Sequence, residues 1–551
     1  MTLDHPFTQI SHTGFVTDQG FLEGPDAART IGPFVRDKAV RNGDKRFVEV
    51  AGRAQSYADI HLNSDAVLAG LQSLSLEPGD HVCLMMNNSV ENIWCWFALC
   101  KGGILEVPIN TAYKGYLLSY IINQSDACAI IIDADLAPRL EPIASELPNL
   151  RHVIVNGRVS GLDLPSSIQV HDLASLRSHR SPTYARTQPS DTSVILYTSG
   201  TTGPSKGVIL SHEANLNLAR HCVWLMGYGS DDVLYTVFPL FHINAKYTSV
   251  MAAMEANASL VMDQRFSAST FWDKVRAKGV TAFNYQGALL LMLYKQPPRP
   301  DDADNPVRIA FGAPCPADIW RPFEERFGLT LVEVYGMTEI AIATENRPGE
   351  TKVGTAGKES ANFWVRIFDE NDRPCPPGVA GEIVVRPKRP NVMFKGYYRQ
   401  EEFTLDAFRN LWFHTGDRGV MDSDGYITFI DRMKDCIRRR GENISSFEVE
   451  AVVNSHDAVL ESAAYGVASD LSEEEVMVAV VVKEGQTLTP HELLDFCQTR
   501  MAHFAVPRYV RFVAELPKTP SQRIQKYLLR EEGITPDTWD RDAAGYRVRR
   551  E

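Results

Sequence analysis

Between residues 82 and 335, short and almost wholly apolar runs alternate with longer segments of helical character. Residues 82–86, 105–109, 127–133 and 193–197 are such runs, and 91–100 reads as a helix between the first two. Further on, 208–210, 233–237, 280–285, 308–311 and 331–335 read as strands, while 213–226 and 287–293 read as helices. A short run that is apolar on both faces fits a strand buried in a parallel sheet, with the helices as crossovers. The pattern therefore predicts an α/β fold whose large N-terminal domain is built from doubly wound sheets. From residue 363 it changes to short alternating strands with turns at Pro374, Pro376, Pro377 and Gly378, which predicts a β-rich subdomain. Beyond the charged stretch 431–435, helix 446–454, strands 459–468 and 475–483, helix 490–501 and strand 508–513 predict a small α+β domain. The expected division is 1–432 and 433–551. Residues 1–24 read as an irregular arm ahead of a helix that carries Ile31, Phe34, Val35 and Ala39 on one face.

A chain of 551 residues with 44% apolar and 23% charged residues is long enough for two or three globular domains. The net charge of -13 leaves no global basic field and argues against nucleic acid as a partner. The nine cysteines are scattered, without a CxxC pair or a Cys/His cluster, so reduced thiols are expected rather than disulfides or a zinc site. No apolar stretch reaches the ~18–20 residues that cross a bilayer. The run 93–104 is interrupted by Lys101. No basic-then-apolar leader opens the sequence. The expectation is a soluble, cytoplasmic protein with no integral membrane segment; assembly as a homodimer stays open.

One loop stands out chemically. Thr198, Ser199, Gly200, Thr201, Thr202, Gly203, Pro204, Ser205, Lys206 and Gly207 lie between the apolar runs 193–197 and 208–210. Glycines allow a tight turn and close approach to a ligand. Successive backbone N–H groups, the hydroxyls and one ammonium can together cradle a polyphosphate. It is not a Walker A loop, because Lys206 is preceded by Ser205 and followed by Gly207. Several predicted strands end in small or polar residues: His242 and Asn244 after 233–237, then Gly312, Ala313 and Pro314, then Gly336, Met337, Thr338 and Glu339. In an open α/β sheet such strand ends converge on one crevice. For His242 alone, a core histidine donating to a backbone carbonyl is the stronger reading.

Five stretches together resemble the adenylate-forming superfamily of acyl-CoA synthetases, aryl-CoA ligases, luciferase and adenylation domains. They are the loop just described, the run 335–339 (Tyr-Gly-Met-Thr-Glu), 413–417 (Phe-His-Thr-Gly-Asp), 431–435 (Asp-Arg-Met-Lys-Asp) and 441–444 (Gly-Glu-Asn-Ile). The resemblance spans roughly residues 30 to 530 and implies ATP, Mg²⁺ and coenzyme A as co-substrates and cofactor. It implies that Thr198 through Lys206 hold the β- and γ-phosphates, that Thr338 donates to the α-phosphate and that Glu339 holds Mg²⁺. Asp417 would accept from the ribose hydroxyls with Arg432 assisting, Gly312, Ala313, Pro314 and Tyr335 would line the adenine slot, and Gly336 and Met337 would also bind the nucleotide, Met337 walling the acid pocket as well. Lys434 falls at the hinge about which a mobile C-terminal domain swings, bringing Gly441 and Glu442 to the thiol tunnel. Arg438, Arg439 and Arg440 form either a CoA-phosphate patch or a solvated charge run.

One departure concerns the family's C-terminal catalytic lysine, which follows a Leu-Pro-Lys-Thr stretch. Here Gln522 and Arg523 stand where Gly-Lys is usual, and Lys526 comes three residues later. Lys526 is the favoured cation and Arg523 the alternative. The segment around His242 carries no acidic residue for a substrate amine, which disfavours amino acids. It resembles the branch of acyl-CoA ligases that includes those for carnitine and crotonobetaine. His242, Asn244, Tyr247, Tyr285, Gly287 and Ala288 are the expected walls of a pocket for a medium- or long-chain or bulky cyclic acid. The implied activity is an acid:CoA ligase acting through an acyl-adenylate. The alternatives are an acyl-AMP ligase loading a carrier-protein thiol, and a catalytically silent binding protein.

Overall fold

The computed structural model describes residues 15–16, 22–23, 29–158, 161–178, 180–198, 205–315, 317–432, 436–469, 474–517, 524 and 526–549. Two large sheets form its centre. The seven-stranded sheet runs, in spatial order, Lys206–Ser211, Thr192–Thr198, Leu105–Pro108, His81–Met85, Ala129–Asp133, His152–Asn156 and Gln169–Asp172. Only the edge pair Thr192–Thr198 and Lys206–Ser211 is antiparallel; the other neighbours are parallel. The nine-stranded sheet is parallel through its middle, from Thr330–Tyr335 across Ile309–Gly312, Ala282–Tyr285, Val233–Thr236 and Ser259–Met262 to Arg46–Val50. Short antiparallel strands close both of its edges.

The sheets share one core. Helix Val90–Gly102 is buried at every position but Glu91, and an all-round apolar helix belongs between two layers. Its start is fixed by Ser89, whose hydroxyl accepts from Asn92 N. Lys101, the charge that interrupts the apolar run, is buried with its Nζ 2.8 Å from Asp65 and 2.8 Å from Ser64. Trp96, Phe97 and Leu99 of this helix pack in the same cluster as Val82 and Leu84 of one sheet and Val48, Leu234 and Leu260 of the other.

A five-stranded antiparallel sheet follows, built on Phe363–Phe368, Ala380–Pro387, Trp412–Met421, Phe408–Arg409 and Ile427–Arg432. The C-terminal region has its own core, a hairpin Cys436–Arg439 with Glu442–Ser445, helices Ser446–Asn454 and Pro490–Gln498, and a four-stranded sheet. The α/β class with doubly wound sheets, a β-rich subdomain and a small α+β unit is thus the observed fold.

One local expectation changes. Strand Val233–Thr236 stops before Pro239, which has no N–H to give a ladder. His242 therefore sits in a turn, and Asn244–Met251 forms a π-helix. Among the described residues, no helix is long and apolar enough to cross a membrane.

Candidate active site

The carboxyl ends of both sheets, the β-rich subdomain and the C-terminal hairpin enclose one cavity of about 550 Å³. From the nine-stranded sheet come Tyr285, Gly312, Ala313, Gly336, Met337, Thr338 and Glu339; from the seven-stranded sheet come Asn110, Thr198 and Lys206. The turn after Thr236 brings Phe241, His242, Ile243 and Asn244. Thr415, Gly416 and Asp417 enter from the β-rich subdomain, and Arg438, Gly441 and Glu442 from the C-terminal hairpin.

Glycine is required where backbones meet. A Cβ on Gly312 would lie 2.0 Å from the carbonyl oxygen of Tyr285, and one on Gly336 would lie 1.6 Å from that of Ala341. Gly312 and Gly336 thus let adjoining strand ends close tightly under the cavity.

The carboxylates are held by specific donors. Asp417 is buried, and Tyr335 Oη donates to its Oδ2 at 2.8 Å. Its own N–H donates to Thr415 Oγ1 at 3.1 Å, and that hydroxyl donates to Ile383 O. Glu382 braces the same turn, accepting from Gly416 N at 3.0 Å and pairing with His414 Nδ1 at 2.8 Å. Burial would push the Glu382 carboxyl up, but His414 and Arg409 prevail and hold it below the ordinary value. Glu339 is also buried and accepts from Tyr397 Oη at 2.9 Å. The Tyr397 ring lies 4.9 Å from Lys206 Nζ, and Phe403 lies 4.4 Å from it on the same ammonium. Tyr397 was not among the expected site residues; the only sequence signal was an aromatic pair after Gly396.

The C-terminal hairpin seals one side. Glu442 Oε2 lies 3.6 Å from His242 Nε2. Gly441 has φ +84, and a Cβ there would lie 1.9 Å from Gln286 Oε1. Of the three arginines, one faces the cavity and two meet Glu475. Arg438 lines the cavity, buried Arg439 donates to Glu475 and to Phe504 O, and Arg440 lies on the turn within 3.5 Å of Glu475.

Further contacts dock the C-terminal region. Lys114 Nζ donates to Gln498 O at 2.6 Å. Ser205 Oγ donates to Glu448, whose carboxyl is enclosed and pushed up to about 7 by burial, against the opposing pull of the Ser205 donors.

Some expected residues lie elsewhere. Tyr247 does not line the cavity: the π-helix turns it inward, fully buried against Trp96 at 5.7 Å. Tyr285 contributes its strand end, its Oη donating to Val332 O at 3.2 Å. The Ala313–Pro314 peptide is cis, and Pro314 is not on the cavity wall. Gly287 and Ala288 open helix Gly287–Tyr294. Arg432 pairs through its backbone with Asp417. Lys526 is off the cavity, its Nζ 2.6 Å from Glu450 and 2.8 Å from Ser446 Oγ. Ser199, Gly200, Thr201, Thr202, Gly203, Lys434 and Arg523 lie outside the described residues.

Comparisons with known proteins match this architecture. Residues 35–398 match the AMP-binding enzyme family, and residues 448–523 match the AMP-binding enzyme C-terminal domain. Crotonobetaine/carnitine–CoA ligases of Salmonella agona and Salmonella typhimurium are each 33% identical over 483 residues, covering 86% of this chain and 92% of theirs. Among solved structures, o-succinylbenzoate CoA synthetase from Bacillus subtilis superposes with a TM-score of 0.79 at 23% identity, covering 91% of this chain and 98% of that one. ATP-bound MatB from Rhodopseudomonas palustris gives 0.66 at 28% identity, covering 91% and 98%. The chain belongs to the AMP-binding, adenylate-forming enzyme family, in the branch of AMP-forming acyl-CoA ligases that holds the crotonobetaine/carnitine–CoA ligases.

Proposed function

We propose that the protein joins a medium- or long-chain or bulky cyclic carboxylic acid to coenzyme A at the expense of ATP. One observation carries this reading: Lys206, Thr338, Glu339 and Asp417, which come from three separate sheets, converge on a cavity that Asn244 and His242 also line and that Gly441 and Glu442 close. In the first step a carboxylate oxygen attacks the α-phosphorus, the bond to the bridging oxygen of the β-phosphate breaks, and pyrophosphate leaves. In the second, the thiolate of CoA attacks the acyl carbon, the bond to the adenylate oxygen breaks, and AMP leaves with an oxygen from the acid.

Two anions meet in the first step, so preorganised donors decide its rate. Thr338 would donate to the α-phosphate and Lys206, with the loop before it, to the departing pyrophosphate. Asp417 would accept from the ribose hydroxyls, oriented by Tyr335. Among the described residues no group of three or more His, Cys, Asp or Glu could hold a metal by itself. Mg²⁺ in nucleotide sites takes one or two carboxylates and completes its shell with phosphates and water, so a single buried Glu339 on the cavity wall fits it. Bound there, the ion would neutralise charge on the phosphates.

The face at the cavity here carries Gly441 and Glu442, while Lys526 points to Glu450. This supports assigning the arrangement to the thiol-transfer half of the cycle. A swing about Lys434, at the boundary between 1–432 and 433–551, would exchange that face for the one bearing Lys526 or Arg523. The test is a panel of carboxylates with ATP, Mg²⁺ and CoA, followed by mass spectrometry. Acid-dependent AMP with an equal yield of acyl-CoA is expected. Acyl-AMP without acyl-CoA would move the acceptor to a carrier-protein thiol. No AMP with any acid would overturn the ligase reading.

A further inference from the structure

The cavity wall formed by the π-helix is polar in a way that a plain hydrocarbon tail does not need. Asn284, buried on strand Ala282–Tyr285, places its Nδ2 2.8 Å from Asn244 Oδ1, 2.9 Å from Thr248 Oγ1 and 2.9 Å from Ser249 Oγ. Thr248 Oγ1 donates to Asn244 O at 2.6 Å, and Ser249 Oγ reaches the same carbonyl at 3.4 Å. The Thr248 hydroxyl hydrogen is therefore directed to that carbonyl, so Thr248 Oγ1 accepts one N–H of Asn284; the second N–H faces Asn244 Oδ1 at 2.8 Å, with Ser249 Oγ sharing it. The amide of Asn284 must then be the donor of the group, which leaves Asn244 Oδ1 as an acceptor. This network fixes the orientation of the Asn244 amide. Its Nδ2 has no protein partner among the described residues, and Asn244 and Thr248 both line the cavity. The lining of the same cavity includes the apolar side chains Phe241, Ile243, Phe311 and Met337 beside the polar His242 and Gln286.

The π-helix is itself pinned. Lys246, two residues from Asn244, is fully buried with its Nζ 2.5 Å from Glu106 and 3.8 Å from the Trp96 ring centre. The Asn244 donor is thus presented from a rigid element rather than a loose loop. A donor held in a fixed orientation on the cavity wall favours a ligand that brings an acceptor to it and disfavours one that covers it without an acceptor.

Resting on the ligase reading, we propose that the acid carries an oxygen acceptor in its tail, as a hydroxyl or a ketone, and that Asn244 Nδ2 is the group that reads it. Asn244 is then a specificity-determining residue. No acidic side chain belongs to the Asn244, Thr248, Ser249 and Asn284 cluster, so a neutral oxygen rather than a cationic group is the feature selected.

The test compares hexanoate and benzoate with their hydroxy derivatives and with their oxo or acetyl derivatives, the oxygen being placed at two positions along each tail. AMP and acyl-CoA are measured with ATP, Mg²⁺ and CoA. The best oxygenated acid should exceed its parent by at least about tenfold in kcat/KM, the size of one hydrogen bond made or lost in a site like this. Asn244→Leu should bring that ratio close to one. Asn244→Asp, which turns the donor into an acceptor, should keep hydroxy acids as substrates and lose the oxo acids. Asn244→Ser, smaller and polar, serves if the leucine variant does not fold by circular dichroism, and should also lower the ratio. Parent acids as good as their derivatives in the wild type, or a ratio that survives Asn244→Leu, would overturn the proposal while leaving the ligase reading intact. AMP from no acid at all would instead overturn the ligase reading itself.

Discussion

At the scale of single residues, Tyr397 joins the two opposite charges of the cavity. Its hydroxyl donates to Glu339 and its ring faces Lys206. With an aromatic face on the ammonium and the pyrophosphate as its proposed target, Lys206 would assist departure without being the main catalytic cation. Lys206→Ala should therefore raise the KM for ATP by roughly tenfold, the worth of one charge-assisted contact, and leave adenylation measurable. Steady-state kinetics check this, and total loss of adenylation in a folded variant would contradict it. The C-terminal cation is a separate question. Lys526→Ala should slow pyrophosphate release in stopped flow far more than Arg523→Ala, because a compact ammonium suits a point charge better than a planar fork does. The reverse order would assign the role to Arg523. That Thr338, Glu339, Asp417 and Lys206 share one cavity was legible because glycine, hydroxyl and carboxylate patterns at strand ends mark such a crevice. Tyr397 was not, since an aromatic after a glycine is equally a packing residue. Tyr247 was misplaced because nothing in the sequence marks the π-helix Asn244–Met251, whose winding turns that side chain into the core.

Among elements, the π-helix Asn244–Met251 is one for which the sequence pattern offered no assignment. Its anchor is the fully buried pair Lys246 and Glu106. Removing one partner leaves an uncompensated charge in the core. Glu106→Gln should lower unfolding stability by about 3–5 kcal/mol in urea, while Glu106→Leu with Lys246→Met should recover much of that loss. A single variant as stable as the wild type would show that the pair does not hold the helix. The strands of the two large sheets were legible because parallel strands buried on both faces leave continuous apolar runs, as in Ala129–Asp133. Their order was not legible. Nothing in residues 206–211 says that this strand turns back antiparallel at a sheet edge, because edge and centre differ in neighbours rather than in composition.

For the whole molecule, the docking of the C-terminal region against the loop end at Ser205 should depend on pH. Glu448 is enclosed by that contact and its pKa is raised from 4.5 to about 7. A raised carboxylate pKa means that docking is favoured in full at low pH and loses stability as pH rises through about 7. Energy transfer between dyes at exposed Leu62 and Leu460 should fall across that range in the wild type and stay flat in Glu448→Gln. An unchanged slope in the variant would assign the effect to another group. The central claim remains that the acid's own oxygen attacks the α-phosphorus. The most direct measurement uses an acid that supports turnover, with both carboxyl oxygens labelled as ¹⁸O, and weighs the nucleotide product. The account predicts AMP carrying one heavy oxygen, in equal amount to the acyl-CoA. AMP without label, or ADP in its place, would contradict it.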